Sequence, residues 1–235
     1  MNRTYNTLFM IESLDGKIST GDTDELDVDK DFKKIHGIKE GLPQYYNIEK
    51  TTDLFSLNSG RVMSKIGVNT RQDNPIKTEC SFVVIDDNHL NINGVEYLAK
   101  WVKTLYLVTS NKNHPAFSAK NKFSNIEIIF YDQKIDFINL FSKLKTDFNI
   151  KNITIQTGGT LNALFVRLGL IDAVSIVIAP CLIGGSQTQS LIGSESLHSH
   201  LELSKIKALK LKKCNVLKNS YIHLLYEVIN ETKVD

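Results

Sequence analysis

The chain has 235 residues, a formal net charge of +2, 42% hydrophobic residues and 23% charged residues, a balance typical of globular proteins. Its lysines are interleaved with acidic residues, and no apolar run approaches the roughly 20 residues of a membrane-spanning helix, so neither nucleic acid nor a membrane is an expected partner. The cysteines, Cys80, Cys181 and Cys214, are too scattered for a disulfide framework or a zinc site, which favours a reducing, cytoplasmic location.

Short apolar runs alternate with helical patterns along the chain, which is typical of an α/β fold with a mostly parallel sheet. The predicted strands, in chain order, are residues 4–12, 61–64, 81–86, 104–109, 126–130, 152–156 and 173–179. The predicted helices are residues 94–101, 134–148 and 160–168. Beyond Leu201, two β-rich segments flank the turn residues Lys218, Asn219 and Ser220 and predict a C-terminal antiparallel hairpin. The expected sheet is therefore mixed, mostly parallel and flanked by helices.

Two stretches have no clear hydrophobic period. Residues 21–31 are acidic and predict a surface loop that runs into a helix start, whereas residues 37–58 mix glycine, proline, tyrosine and charges. Neither an internal repeat nor a linker is visible, so residues 1–235 are expected to form a single domain.

The most informative segment is a predicted strand that ends in Gly158 and Gly159 and enters a helix near Leu161. Paired glycines let a ligand approach the backbone, and the free amides of a helix N-terminus favour an anion such as phosphate. Thr160 adds a hydroxyl at the same place. Neither the dinucleotide fingerprint G-x-G-x-x-G nor a P-loop is present, and a glycine-relieved tight turn is the plain structural alternative.

Two further strand ends carry candidate site residues. After the first strand, Asp15-Gly-Lys17 presents an acid and a lysine at the mouth of the sheet, either as a charged pair or as an ordinary surface turn. After the seventh strand, the paired glycines of Ala179-Pro-Cys-Leu-Ile-Gly-Gly185 border the same crevice or form a simple turn. His198 and His200 have no third ligand nearby in the sequence, so no metal site is predicted.

These segments together resemble a known family. The ordered series Ser13-Leu-Asp-Gly-Lys-Ile18, Gly158-Gly-Thr-Leu-Asn162, Gly169-Leu-Ile-Asp-Ala173 and Ala179-Pro-Cys-Leu-Ile-Gly-Gly185 is similar to the pyrimidine reductases of riboflavin biosynthesis. The resemblance implies a dihydrofolate reductase-like fold and a homodimer. It also implies NADPH-dependent reduction of the ribose of a ribosylaminopyrimidine 5′-phosphate to a ribityl chain.

The resemblance also implies roles for individual residues. It assigns the cofactor pyrophosphate to Gly158, Gly159, Thr160, Leu161 and Asn162, and further cofactor contacts to Ser19, Asp86, Thr109 and Ser110. It implies that Lys17 lies near the site of hydride transfer, where we expect it to polarise the substrate with Asp15 orienting it. Substrate contacts are expected at Ser13, Gln156 and Arg61.

The chain departs from the family pattern at the substrate positions. Gln156 stands where many members have glutamate, and the family's Asp-x-x-x-Leu-x-x-Arg stretch has no counterpart, although Arg61 and Arg71 are possible replacements. A related pterin or pyrimidine reductase outside riboflavin synthesis, or a non-catalytic nucleotide-binding module, is therefore an alternative. The acidic pair Asp86-Asp87 would suit the unphosphorylated ribose of NADH, which keeps NADH as an alternative to NADPH.

Overall fold

The computed structural model describes residues 2–234, and these form two compact units. Each unit is built from two stretches of chain. The first unit comprises residues 2–4 and Asp53–Thr157, and the second comprises Tyr5–Thr52 and residues 158–234. The expectation of a single domain stays a prediction.

The elements follow one another as alternating strands and helices. The strands are β1 (Tyr5–Ser13), β2 (Phe55–Ser59), β3 (Ser81–Ile85), β4 (Leu105–Thr109), β5 (Ile126–Phe130), β6 (Asn152–Ile155), β7 (Ala173–Ala179), β8 (Ala208–Val216) and β9 (Ile222–Ile229). The helices are α1 (Val28–Asp31), α2 (Pro43–Glu49), α3 (Gly60–Lys65), α4 (Ile92–Trp101), α5 (Ala116–Ala119), α6 (Phe137–Thr146) and α7 (Gly159–Arg167). Short 3-10 turns lie at Phe32–Lys34, His200–Lys205 and Lys218–Ser220. Within residues 2–234, no helix has both the length and the apolar character needed to cross a bilayer.

The first unit contains five parallel strands in the order β5-β4-β3-β2-β6. Their apolar side chains are buried because helices cover the sheet, as is usual for parallel strands. Val84, Leu98, Leu105, Leu107 and Ile126 are all fully buried in one cluster. Parallel strands end at one edge, so the residues that follow β2, β3, β4 and β6 gather there.

The second unit contains the strands β1-β7-β9-β8 in that order. β1 and β7 are parallel and in register from Thr7↔Ala173 to Ser13↔Ala179, so the two strands end side by side. β9 pairs antiparallel with both β7 and β8, and a bulge separates Leu211 from Lys213. A buried cluster on one face of this sheet includes Phe9, Phe32, Tyr45, Val177 and Tyr221.

The observed sheets confirm the predicted fold class. β1 pairs in parallel with β7, and all pairings among β2, β3, β4, β5 and β6 are parallel. β9 pairs antiparallel with β7 and with β8. The acidic residues 21–31 run into α1 as expected, where the Asp27 side chain accepts from the Asp29 amide. The C-terminal hairpin turns at Lys218–Ser220, also as expected.

One predicted strand is wrong. Residues 61–64 belong to helix α3, and the strand lies just before them at Phe55–Ser59. The reason is local, because the Ser59 hydroxyl accepts from the Val62 amide and so caps a helix where a β-rich run was expected to continue. The region without a clear period, residues 37–58, contains α2 and most of β2.

Candidate functional site

The loop that follows β1 is closed by its own backbone. The Gly16 amide donates to the Ser13 carbonyl oxygen (2.9 Å), and the Ser13 amide donates to the Lys17 carbonyl oxygen (3.0 Å). Gly16 has φ of +76°, a conformation that L side chains rarely adopt, so this turn requires glycine. The Ser13 hydroxyl accepts from the Lys17 amide (2.9 Å) and donates to Asp15 Oδ1 (2.5 Å). The 13–17 loop is therefore preformed.

The Asp15 carboxylate ties the 13–17 loop to the segment that follows β7. Its Oδ1 accepts from the Ile183 amide (3.0 Å), and its Oδ2 accepts from the Gly184 amide (2.6 Å). The hydrogen bond from Ser13 outweighs the effect of burial and, with these two amides, lowers the pKa of Asp15 to about 2. Asp15 is therefore an anion at neutral pH and serves as an acceptor.

The Lys17 ammonium group binds the next part of the same segment. Its Nζ donates to the carbonyl oxygens of Gly185 (2.9 Å) and Thr188 (3.1 Å) and to Ser190 Oγ (3.3 Å). Lys17 also forms a β-bridge with Ser190, and the Ile18 amide donates to the Gln189 carbonyl oxygen. All three ammonium hydrogens thus have acceptors, and residues 183–190 are held along the 13–17 loop.

The structure differs from the predicted charged pair. Within residues 2–234, Asp15 and Lys17 form no ion pair with each other, and each binds a different part of the 183–190 segment. The physical reason is the local backbone, which presents amide hydrogens to the carboxylate and carbonyl oxygens to the ammonium group. Asp15 therefore does not orient Lys17 directly, and both residues position the same loop.

The paired glycines at the start of α7 have different surroundings. A Cβ on Gly159 would overlap the Ser190 carbonyl oxygen, because the backbone of residues 190–193 packs directly on this turn. Gly158 is more open, and a Cβ there would meet only Gln189 Oε1 at 3.8 Å. The Asn162 side chain donates to the Leu191 carbonyl oxygen (2.9 Å), and the Leu191 amide donates to the Gly16 carbonyl oxygen (3.0 Å). Residues 190–193 therefore join α7 to the 13–17 loop.

The first turn of α7 retains the features that suit an anion. Gly158 is its N-cap and supplies no side-chain hydrogen bond, so the first amides of the helix keep their donor capacity. Thr160 is exposed, and Leu161 is half-buried. Ser19, another predicted cofactor contact, is buried and donates its hydroxyl to the Leu26 carbonyl oxygen (2.8 Å).

The first unit holds a separate polar cluster around Asp86, which follows β3. The buried Asp86 carboxylate accepts from the amides of His89 and Leu90 and from His89 Nδ1 and His114 Nε2. Burial opposes its charge, but these hydrogen bonds, led by that from His114, outweigh it and lower the pKa of Asp86 to about 2. His114 Nδ1 accepts from the Ala116 amide (3.1 Å), so the hydrogen lies on Nε2.

Asp87 organises the end of the next strand, β4. Its carboxylate accepts from the hydroxyls of Thr109 (2.8 Å) and Ser110 (2.9 Å) and from the Ser110 amide (2.6 Å). Burial again opposes the charge, but these bonds lower the pKa of Asp87 overall. The predicted cofactor contacts Asp86, Thr109 and Ser110 are therefore brought together, with their side chains engaged inside the unit.

The predicted substrate residues of the first unit, Gln156 and Arg61, have different surroundings. Gln156 Oε1 accepts from the Ser56 hydroxyl (2.9 Å), and Ser56 Oγ accepts from the Asn58 side chain (3.0 Å). Arg61 is exposed on α3. Arg71, its possible substitute, donates to the Tyr97 hydroxyl (3.0 Å). No group of three or more His, Cys, Asp or Glu residues suited to a metal ion occurs in the described part of the chain.

One further ionisable residue was not singled out from the sequence. Glu12 is half-buried at the end of β1, immediately before Ser13. Burial raises the pKa of Glu12 to about 7. The sequence feature that could have identified Glu12 is an acidic residue near the end of a mostly apolar strand.

Sequence comparison identifies related proteins. A model of the family described as the RibD C-terminal domain matches residues 4–222. The 2,5-diamino-6-ribosylamino-4(3H)-pyrimidinone 5′-phosphate reductase of Methanothermobacter thermautotrophicus is 24% identical over 219 residues, which are 92% of this chain and 94% of that protein. The Aquifex aeolicus protein of the same name is 24% identical over 106 residues, 45% of each chain.

Solved structures share the fold. Acinetobacter baumannii RibD in form 1 aligns with a TM-score of 0.68 and 16% identity over 97% of this chain, which spans 59% of that protein. The Saccharomyces cerevisiae riboflavin biosynthesis reductase Rib7 aligns with a TM-score of 0.60 and 16% identity, covering 97% of this chain and 91% of that one. The fold of this chain is therefore that of the RibD reductase domain.

The two glycines at the start of α7 offer a matched test of the packing. We expect Gly159→Ala to lower the free energy of unfolding by about 1–3 kcal/mol, because the added methyl group displaces the backbone at Ser190. Gly158→Ala is the control and should cost less than about 1 kcal/mol, since its methyl group has room. Urea denaturation measures both changes. Equal losses for the two variants would contradict the close packing at Gly159.

Proposed function

Because the chain belongs to the RibD C-terminal domain family, we propose that it is a nicotinamide-dependent reductase of a ribosylaminopyrimidine 5′-phosphate, the substrate class named for its curated relatives. The reaction converts the ribose ring to an open ribityl chain. The observation that carries this proposal is the preformed network of the 13–17 loop, residues 183–193 and the start of α7. All of it lies inside the matched residues.

The start of α7 fits the pyrophosphate of a dinucleotide. Its first turn has no side-chain cap, and the place of a Cβ on Gly158 is open to an approaching group. The amides of residues 159–161 and the Thr160 hydroxyl would hold the phosphates there. A bound nicotinamide supplies hydride to C1 of the sugar, and the chain supplies position and charge.

We favour NADPH over NADH. NADH enzymes commonly use a free carboxylate to accept from the ribose hydroxyls. The carboxylates of Asp86 and Asp87 are instead occupied by four and three hydrogen-bond donors of the same unit, respectively. This occupation supports NADPH, because both carboxylates already accept hydrogen bonds within their own unit.

Asp15 and Lys17 act through the segment that they hold. The Asp15 carboxylate holds the amides of Ile183 and Gly184. The Lys17 ammonium group holds the segment that begins at Gly185 and ends at Ser190. A loop fixed at both positions keeps the mouth of the sheet in one shape, which favours a single orientation of the bound substrate. Ser13 supports this arrangement through its hydrogen bonds to both residues.

We also propose that the chain forms a homodimer through its C-terminal hairpin. β8 is an edge strand, and one face of it carries the exposed side chains of Leu209 (46%), Leu211 (52%) and Val216 (84%). The register places these beside Val228, Tyr226 and Ile222 of β9. An exposed apolar edge of this kind is commonly covered by a second chain.

The dimer is tested by measuring the mass in solution. Sedimentation or light scattering should give the mass of two chains, and the double variant L211K/V216K should give that of one, because two charges disrupt an apolar interface. Ile76→Lys is the control, since Ile76 is 92% exposed in the first unit. A wild-type protein that has the mass of one chain at every protein concentration measured would refute this assembly.

The activity is tested with purified protein and a small panel of substrates. We expect NADPH to be oxidised when a ribosylaminopyrimidine 5′-phosphate is present, with NADH and a pterin as comparison arms. Loss of NADPH absorbance follows the rate, and a mass shift of two hydrogens identifies the ribityl product. Saturable NADPH binding without oxidation of any substrate would favour the nucleotide-binding module, and turnover of the pterin alone would favour the alternative reductase.

Replacement of Lys17 tests its part in the reaction. Lys17→Met removes the three hydrogen bonds of the ammonium group, so we expect kcat to fall about 10²-fold. The Kd for NADPH should change less than about threefold, because the amides of the first turn of α7 are positioned by the helix backbone and Lys17 makes no hydrogen bond to them. Lys17→Arg should recover part of kcat. Equal losses of kcat and NADPH affinity would indicate a folding defect of the loop instead.

A further inference from the structure

Glu12 is the last residue of β1 on the face of the strand that also carries Leu8. Side chains alternate along a strand, so Leu8 and Glu12 lie on one face, opposite the buried Phe9 and Ile11. On this face Glu12 lies beside Ile178 of β7, its partner in the parallel register. This face of β1 therefore ends in a carboxyl group at the edge where the 13–17 loop emerges.

Helix α7 covers the same face. Leu8 lines an apolar cavity with Ala163 and Val166, which belong to the middle and later part of α7. The start of α7 lies towards the other end of β1, where Leu191 joins Asn162 to Gly16. Glu12 is thus on the face and at the end of the strand where the proposed dinucleotide site begins.

The Glu12 carboxyl group is isolated from other polar groups. It forms no hydrogen bond and no ion pair with the other residues between 2 and 234. Burial alone raises its pKa to about 7, so both the protonated and the ionised form are accessible near neutral pH. An aliphatic residue would occupy this strand position without the cost of a desolvated charge, which points to a chemical use for the carboxyl group.

The other ionisable groups near Glu12 are committed elsewhere. β7 carries no ionisable side chain, and the only one on α7 is Arg167, at the opposite end of the helix. In the 13–17 loop, Asp15 is held as an anion by two amides and Ser13, while Lys17 has all its ammonium hydrogens engaged. Among these groups, Glu12 is the one that can exchange a proton near neutral pH.

We propose that Glu12 is the general acid that protonates the ring oxygen of the ribosylamine as the sugar opens, an inference that rests on the proposed function. The C1–O bond breaks, the ring oxygen takes the Glu12 proton, and the exocyclic nitrogen forms a double bond to C1. This leaves an iminium cation beside the Glu12 carboxylate. A bound nicotinamide would supply the hydride that reduces the iminium to the amine. Glu12 regains a proton from solvent, so one hydride and one proton are consumed in all.

The first experiment compares Glu12→Gln with wild type. We expect kcat to fall about 10²-fold while the Kd for NADPH changes less than about threefold, because Gln keeps the shape and loses the proton. The wild-type kcat should decrease as pH rises through about 7, and this step should be absent in the variant. Glu25→Gln, an exposed carboxyl replacement, is the control and should leave kcat unchanged.

A second measurement needs neither cofactor nor substrate. Difference infrared spectra of wild type and Glu12→Gln should show one carboxyl C=O band that disappears with a midpoint of about pH 7. The raised pKa means that folding is favoured by the protonated form and loses stability as pH rises through that value. At pH 8, Glu12→Gln should therefore unfold at the same or a higher temperature than wild type.

The outcomes separate the two proposals. An active wild type with unchanged rate or pH profile in Glu12→Gln would overturn the role of Glu12 alone, as would a carboxyl group that titrates near its ordinary pKa. A wild type that is folded and reduces no ribosylaminopyrimidine 5′-phosphate would overturn the proposed function, and the role of Glu12 with it.

Discussion

The parallel register of β1 and β7 is the constraint on which the candidate site depends. Ser13 lies beside Ala179, so the loops that follow both strands begin next to each other. The Asp15 carboxylate joins them through the amides of Ile183 and Gly184, at 3.0 and 2.6 Å. A different register would move these amides out of reach of a side chain as short as aspartate. The sheet therefore determines the loop contacts, and the loop contacts determine the shape of the mouth.

Charged side chains have two different roles at the end of β1, where the 13–17 loop begins. Asp15 and Lys17 are bound by backbone groups, so their charges contribute order to residues 183–190. Glu12, next to the same loop, is partly desolvated and has none of these contacts. The same chemical group thus has a low pKa at Asp15 and a raised pKa at Glu12, because hydrogen bonds favour the anion and burial disfavours it. Such a separation of pKa values is typical of sites that hold one charge and move another.

The first unit shows the same dependence of loops on aspartate carboxylates at strand ends. Asp86 accepts hydrogen bonds from His89, Leu90 and His114, and Asp87 accepts from Thr109 and Ser110. Each aspartate follows β3 and connects loops at the carboxyl edge of the parallel sheet. A polar residue at a strand end can therefore hold the loops around a site in place without contacting a ligand. A family resemblance by itself does not distinguish such a residue from one that binds the ligand.

Hydrophobic periodicity and turn residues by themselves determined most of the elements, the mixed sheet and the antiparallel hairpin. Those properties are local, as are the glycines of the 13–17 loop and of α7. Residues 61–64 form part of α3 and not the predicted strand, and this also has a local cause. The Ser59 hydroxyl caps the helix, and this cap outweighs the β-rich composition of the residues that follow it. Only the tertiary structure decided what the site residues contact. Gly159 packs on Ser190, and Glu12 is isolated by the burial of its strand. Asp15 and Lys17 bind residues that lie 168 to 173 positions later in the chain. Hydrogen-bond partners and desolvation depend on chain segments that are distant in sequence, so no local pattern encodes them.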